Sequence, residues 1–142
     1  MDALRLKTLA ILLTLFLVGS SCARVDSRRF EPGRTTTTQL RSSLGPPLRE
    51  LVVSTPEAER SHWIYPDGVN FQLEGSRLTA RNRPPESSER TLQYWRLRWR
   101  GRVQYGGHAE LVDSLSCPDE RTVVFFRPSD GQVIQVTEYA AR

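Results

Sequence analysis

From residue 48 onward, apolar and polar positions alternate mostly at the two-residue period of strands that bury one face. Leu51-Val52-Val53 marks a short strand, and His62 to Tyr65 is extended and runs into the turn signal Pro66-Asp67-Gly68. Between them, Ser54-Thr55-Pro56-Glu57 sets a capping residue before a proline and an acid, which predicts one helical turn. Val69 to Leu73 and Arg77 to Arg81 flank Glu74-Gly75-Ser76 as a hairpin, and Asn82 to Glu89 reads as a polar, proline-bearing loop. A long strand is predicted from Leu92 to Tyr105, turning at Gly106-Gly107 so that His108 to Val112 pairs back. Beyond a loop around Cys117-Pro118, Thr122 to Arg127 and Gln132 to Tyr139 flank Pro128-Ser129-Asp130-Gly131, the clearest hairpin in the chain. Six to eight strands with local connections predict an all-β domain: a small antiparallel meander, a curled sheet or a partly open barrel. No internal repeat is read in the sequence.

The Leu92–Tyr105 segment is the most distinctive. Read as a strand, it places Trp95, Leu97, Trp99, Val103 and Tyr105 on one face and Arg96, Arg98, Arg100 and Arg102 on the other. Same-face neighbours lie about 6.6 Å apart, so four cations in line need anions or water to answer them. One reading is an ordinary one-sided strand with a wet arginine face, balanced across strands by acids such as Glu110. The functional reading is an anion-binding ladder, because guanidinium forks suit phosphate and carboxylate. Trp95 and Trp99 would line an apolar pocket if the sheet curls, or else belong to the core.

Before residue 48 the pattern changes. Arg5 and Lys7 precede an uncharged apolar run from Leu9 to Val18, followed by Gly19-Ser20-Ser21-Cys22. A membrane-spanning helix needs about 20 apolar residues, so this shorter run reads as a secretory signal over residues 1–21. Val18-Gly19-Ser20-Ser21-Cys22 resembles the lipobox of bacterial lipoproteins, with Gly19 where that class usually carries leucine. The resemblance covers the signal alone. It implies a diacylated Cys22 at the mature N-terminus and, if the cell is Gram-negative, sorting to the outer membrane because Ala23 is not acidic. Cleavage by ordinary signal peptidase after Ser21 would leave Cys22 free to pair with Cys117, and cleavage after Ala23 would remove it.

Residues 22–47 carry a four-threonine run, Ser42-Ser43, two glycines and Pro46-Pro47, with almost no apolar period. That composition predicts a disordered tether with an r.m.s. reach of roughly 28 Å, leaving residues 48–142 as the globular domain. Charge divides along the same boundary. The segment 23–47 has five arginines against Asp26 and Glu31, whereas residues 48–142 hold thirteen arginines and thirteen acids. The tail's arginines suit anionic headgroups, at about 1 kcal/mol per basic residue near such a surface. The domain itself has no basic excess, which with the export signal argues against nucleic acid.

Chemistry-bearing residues are sparse. His62 and His108 are the only histidines, Cys117 is the only cysteine beyond Cys22, and no metal-ligand spacing is present. A triad of Ser114, His108 and Asp113 can be written, but no nucleophile elbow or oxyanion glycine motif accompanies it. Neither cofactor nor enzymatic activity is expected. The sequence therefore predicts an exported, lipid-anchored envelope protein with a binding or assembly role. Its partners would be the membrane and anionic lipid, glycan or an acidic protein surface met by Arg96 to Arg102. The alternative is a soluble secreted factor with a Cys22–Cys117 disulfide.

Overall fold

The computed structural model describes residues 24–109 and 112–141. They form one open antiparallel sheet of eight strands with two short helices, so the all-β expectation holds and the sheet does not close into a barrel. The strands are β1 (Arg49–Ser54), β2 (Glu59–Ile64), β3 (Asn70–Glu74), β4 (Arg77–Arg83), β5 (Gln104–Ala109), β6 (Val112–Cys117), β7 (Thr122–Phe126) and β8 (Val133–Tyr139). Their order in the sheet is β1-β2-β3-β4-β8-β7-β6-β5. The helices are α1 (Thr37–Leu44) and α2 (Leu92–Arg98). Each hairpin predicted from Val69 to Arg81 and from Thr122 to Tyr139 is present.

That order has a hidden symmetry. A helix followed by a four-stranded meander occurs twice, and the two meanders join at their last strands, β4 against β8. Corresponding backbone bonds repeat along with the elements. Thr37 N–H donates to Ser76 O and Leu78 N–H to Thr35 O, both at 2.9 Å. Leu92 N–H donates to Gly131 O and Val133 N–H to Arg90 O, also both at 2.9 Å. Each set ties the start of a helix to the start of that unit's last strand through an isolated bridge, Thr36–Arg77 in one and Thr91–Gln132 in the other. Both β3/β4 and β7/β8 also carry a register shift near the turn.

The apolar residues form two cores. Phe30, Leu40, Trp63, Tyr65, Val69, Phe71, Leu73 and Leu78 fill the first unit. Leu92, Trp95, Trp99, Leu115, Cys117, Val124, Phe126, Val133 and Val136 fill the second. Register places Phe71, Arg81, Glu138 and Val136 on one face of the sheet, so both helices cover the same side. Among the described residues no helix lies on the other side.

Three expectations are corrected. Residues 24–47 are not a tether: Ser27, Phe30, Thr35 and Leu40 are buried, and Val25 and Leu44 pack against the first core. The threonine run supplies a helix cap. Thr36 Oγ1 accepts from Gln39 N–H (3.3 Å) while Gln39 Oε1 accepts from Thr36 N–H (2.9 Å), a reciprocal capping box. At the other end, Gly45 adopts a φ of 74° and its N–H closes on Arg41 O (2.9 Å) just before Pro46-Pro47 stop the helix.

The second correction concerns Leu92–Tyr105, which begins as a helix. Thr91 caps it by accepting from Tyr94 N–H at 3.4 Å, and Leu92, Trp95 and Trp99 recur at helical spacing to face the core. Leu97, assigned to the buried face of a strand, is exposed. Gly106-Gly107 then lie within β5 rather than in a turn. The helical turn predicted after Pro56 is absent, because Thr55 Oγ1 and Ala58 close a tight β1–β2 connection.

Candidate functional site

The arginine ladder does not form. Arg96 and Arg98 lie on the last turn of α2, and Arg100 and Arg102 on the loop that follows. Local partners answer three of the four. Arg96 Nε donates to Tyr105 Oη (3.0 Å) and lies over that ring, with Cζ 5.8 Å from its centroid. Arg98 reaches Glu120 (3.1 Å) and the Tyr94 hydroxyl (3.2 Å). Arg102 reaches Glu120 (3.4 Å) and Asp119 (3.8 Å). Arg100 has no ion pair among the described residues. Burial pushes the Glu120 carboxyl up, but the neighbouring Trp99 indole N–H, Arg98 and Arg102 outweigh it and hold Glu120 below its usual range. The segment is thus a mixed-charge helix end rather than an array of open cations. Glu110, the acid expected to balance the ladder, lies outside the described residues.

Trp95 and Trp99 do not line an apolar pocket. Their ring centroids are 4.7 Å apart, their side chains are 2% and 0% exposed, and they fill the second core. Trp95 Nε1 donates to Glu89 O at 2.8 Å. Among the described residues Trp99 Nε1 meets no acceptor in full hydrogen-bond geometry, although it lies near enough to Glu120 to help hold that carboxyl low.

The triad drawn from Ser114, His108 and Asp113 is not assembled. Asp113 pairs with Phe126 on the helix-covered face while Ser114 pairs with Phe125 on the uncovered one, and Ser114 Oγ donates to Gly106 O (3.0 Å). Cys117 is fully buried in the second core with its thiol free. Cys22 and the lipobox-like residues 18–22 lie outside the described residues.

Two other features emerge instead. The first is the seam between the units, which is polar on both faces. On the helix side, Arg83 makes a two-pronged pair with Glu89 (2.6 and 3.0 Å), both side chains being buried. Glu138 accepts from Arg81 and lies 3.7 Å from Arg83, and Arg28 reaches both Glu86 (3.0 Å) and Glu89 (3.5 Å). Arg81 Nη1 also donates to Ser27 O (3.0 Å) and Phe30 O (2.9 Å), fastening the N-terminal segment. Burial pushes Glu89 up, yet Arg83, the Glu86 N–H and Arg28 outweigh it and keep Glu89 ionised below the usual carboxylate range. On the opposite face, Asn82 donates to Asn70, and Thr137 Oγ1 donates to Asn82 Oδ1 (2.7 Å), with Gln135 bridging Asn82 (3.3 Å) and Thr137 (2.9 Å).

The second feature is the uncovered sheet face. It holds a depression of about 950 Å³ bordered by Arg60, His62, Gln72, Thr79, Val123 and Tyr139. Register puts His62 beside Gln72 and Leu51, and Tyr139 beside Ala80. Burial raises the Tyr139 phenol. Basic, amide, hydroxyl, aromatic and aliphatic groups meet here on rigid strands, a surface suited to a mixed polar and apolar partner. Sequence reading could not gather these residues, because they come from strands whose neighbours are fixed only by the crossover between β4 and β5. Comparison of the chain with protein-family models, with curated proteins and with solved structures returns no match.

Proposed function

We propose that this is an exported protein of the cell envelope, anchored through lipid on Cys22, with a non-enzymatic binding or assembly role. The observation that carries the binding role is the uncovered face of the sheet, with its broad depression around His62, Gln72 and Tyr139. Two helices bury one side of the sheet, and the other offers a partner a preformed surface at no folding cost.

One feature supports the anchored form over a soluble factor with a Cys22–Cys117 disulfide. Cys117 is packed in the second core, and a disulfide needs the two Cα atoms within about 4.4–6.8 Å of each other. Reaching it from Cys22 would require that core to open. Val25, only a few residues beyond Cys22, packs against the first core. An anchored domain would therefore rest against the bilayer instead of swinging on a long tether.

Intact mass and N-terminal peptide analysis, on protein from native membranes and medium, test the anchor. A membrane form that starts at Cys22 and carries acyl mass is expected; an unacylated soluble form would overturn it. For the binding role, a photo-crosslinker placed at His62 should capture an envelope component that the same group at exposed Ser43 on α1 does not.

A further inference from the structure

The outer strand β1 is exposed along its whole length, Arg49–Ser54. Leu51, Val52 and Val53 are 43%, 54% and 55% exposed, and Leu48 just before them 73%. Folded proteins usually blunt such an edge with charge, bulges or proline. Here Pro46-Pro47 and Pro56 merely bracket it, leaving an open apolar stretch between.

The backbone along this stretch has a definite polarity. Thr55 N–H donates to Ala58 O at 2.9 Å, and bonding and non-bonding positions alternate along an antiparallel ladder. With the observed register, Arg49, Leu51 and Val53 exchange bonds with β2, while Glu50, Val52 and Ser54 point their N–H and C=O groups outward.

We propose that this edge pairs with the same edge of a second copy of the chain, antiparallel, about a two-fold axis at Val52. In that register Val52 meets Val52, Leu51 meets Val53 and Glu50 meets Ser54. Every outward N–H and C=O of Glu50, Val52 and Ser54 then finds a partner. Apolar meets apolar on both faces: Leu51 with Val53 on the uncovered face, Val52 with Val52 on the helix side. No like charges stand opposite each other. The Glu50 carboxylate is already occupied within its own chain, accepting from Trp63 Nε1 (2.8 Å) and lying 3.9 Å from Arg41. Moving the axis to Leu51 sets Glu50 against Val52 and Arg49 against Val53, and leaves Ser54 facing Leu48, whose N–H is already bonded to Ile64 O.

The pairing closes as a dimer rather than growing as a filament, because the opposite edge is a poor template. β5 contains Gly106-Gly107 and an irregular register between Gly107 and Ala109. A self-complementary edge gives an isologous two-fold contact. So short an interface falls below standard size, so the dimer is weak and is best read by covalent trapping.

The full chain in detergent micelles, carrying Val52→Cys, is oxidised mildly and the products are mapped by peptide mass. Directly opposed residues at a bonded position lie about 5.5 Å apart at Cα, inside the disulfide range. A 52–52 product should exceed the 51–51 product of Leu51→Cys by about ten-fold, and mixing Leu51→Cys with Val53→Cys chains should give a 51–53 product. Adding Val52→Lys to that mixture, which opposes two like charges on the axis, should cut the 51–53 product about ten-fold. The mapping separates these products from any that involve Cys22 or Cys117. Equal yields at all three positions, no 52–52 product, or links from β1 to β5 of another copy would overturn the proposal.

Discussion

The two units share a layout and divide their bulk differently. In the first, the strands and the N-terminal segment bring Phe30, Trp63, Tyr65 and Phe71, while α1 contributes Leu40 and Leu44. In the second, α2 and its C-cap bring Trp95 and Trp99, and the strands facing them carry one aromatic, Phe126, with Leu115, Cys117, Val124, Val133 and Val136. Most of the aromatic bulk sits on the sheet side in the first unit, whereas in the second it is shared between the two tryptophans of the helical segment and Phe126 on the sheet, so the two interlayer spaces are filled by different divisions of volume. What the units share is backbone: the bridges at Thr36 and Thr91, the register shifts near the β3–β4 and β7–β8 turns, and the last strands that join them. A frame set by main-chain bonds tolerates an exchange of side-chain volume between layers.

If that division is right, truncating the helix should hurt the second unit more. Trp99→Ala should cost about 3–5 kcal/mol, and Leu40→Ala about 2–4 kcal/mol, each read by chemical denaturation. Equal losses would mean that the two helices carry equal shares of their cores.

The seam tests whether the units stand or fall together. Glu89→Gln removes one charge of a buried pair and should cost about 3 kcal/mol. The sign of the pH dependence follows from the lowered pKa of Glu89. A carboxyl held lower in the folded state than in the unfolded chain contributes fully above its unfolded pKa, and loses that contribution as pH falls through its folded value. Stability should therefore decline as pH drops below the ordinary carboxylate range. In Glu89→Gln the decline should be shallower, and what remains should trace in part to Glu120, also held low. An unchanged acid limb would remove Glu89 from the account. Separate transitions for the two units in the variant would show that this seam couples them.

What was legible in the sequence follows the same division. The hairpins at Glu74-Gly75-Ser76 and Pro128-Ser129-Asp130-Gly131 were readable, because turn chemistry and alternation agree there. Both helices were missed, each for a physical reason. Trp95 and Trp99 are four residues apart, a spacing that suits a strand face and a helix face alike. Leu92 behind a threonine cap is what breaks the tie. In α1, one leucine at Leu40 and another at Leu44 left little period to read, and a threonine run resembles a linker until Gln39 is recognised as the returning half of the Thr36 cap. The repeat was invisible for a related reason: it resides in main-chain bonds, and the two units fill it with different side chains. The uncovered face depends on strand order, which local patterns do not encode.

The caps offer a smaller test of the comparison. Thr36 is paired reciprocally with Gln39, whereas Thr91 accepts from Tyr94 N–H without a returning bond. Thr36→Ala should cost about 1 kcal/mol or somewhat more and Thr91→Ala somewhat less, measurable as shifts in denaturation midpoint.

The smallest expected effect settles what the arginines are for. Arg98 holds Glu120 and the Tyr94 hydroxyl at the end of α2, but its side chain is about half exposed, so Arg98→Ala should cost only about 0–1 kcal/mol. Arg100, exposed and without an ion pair among the described residues, should cost nothing measurable. If the helix end served as an anion surface, Arg100→Glu would weaken binding to anionic vesicles at low salt more than Arg98→Glu, because Arg100, unlike the other three, has no ion-paired or hydrogen-bonded side-chain partner among the described residues to satisfy first. Equal and negligible effects from both would leave these arginines as solvated ends of a helix whose work is done on its other side, by Trp95 and Trp99.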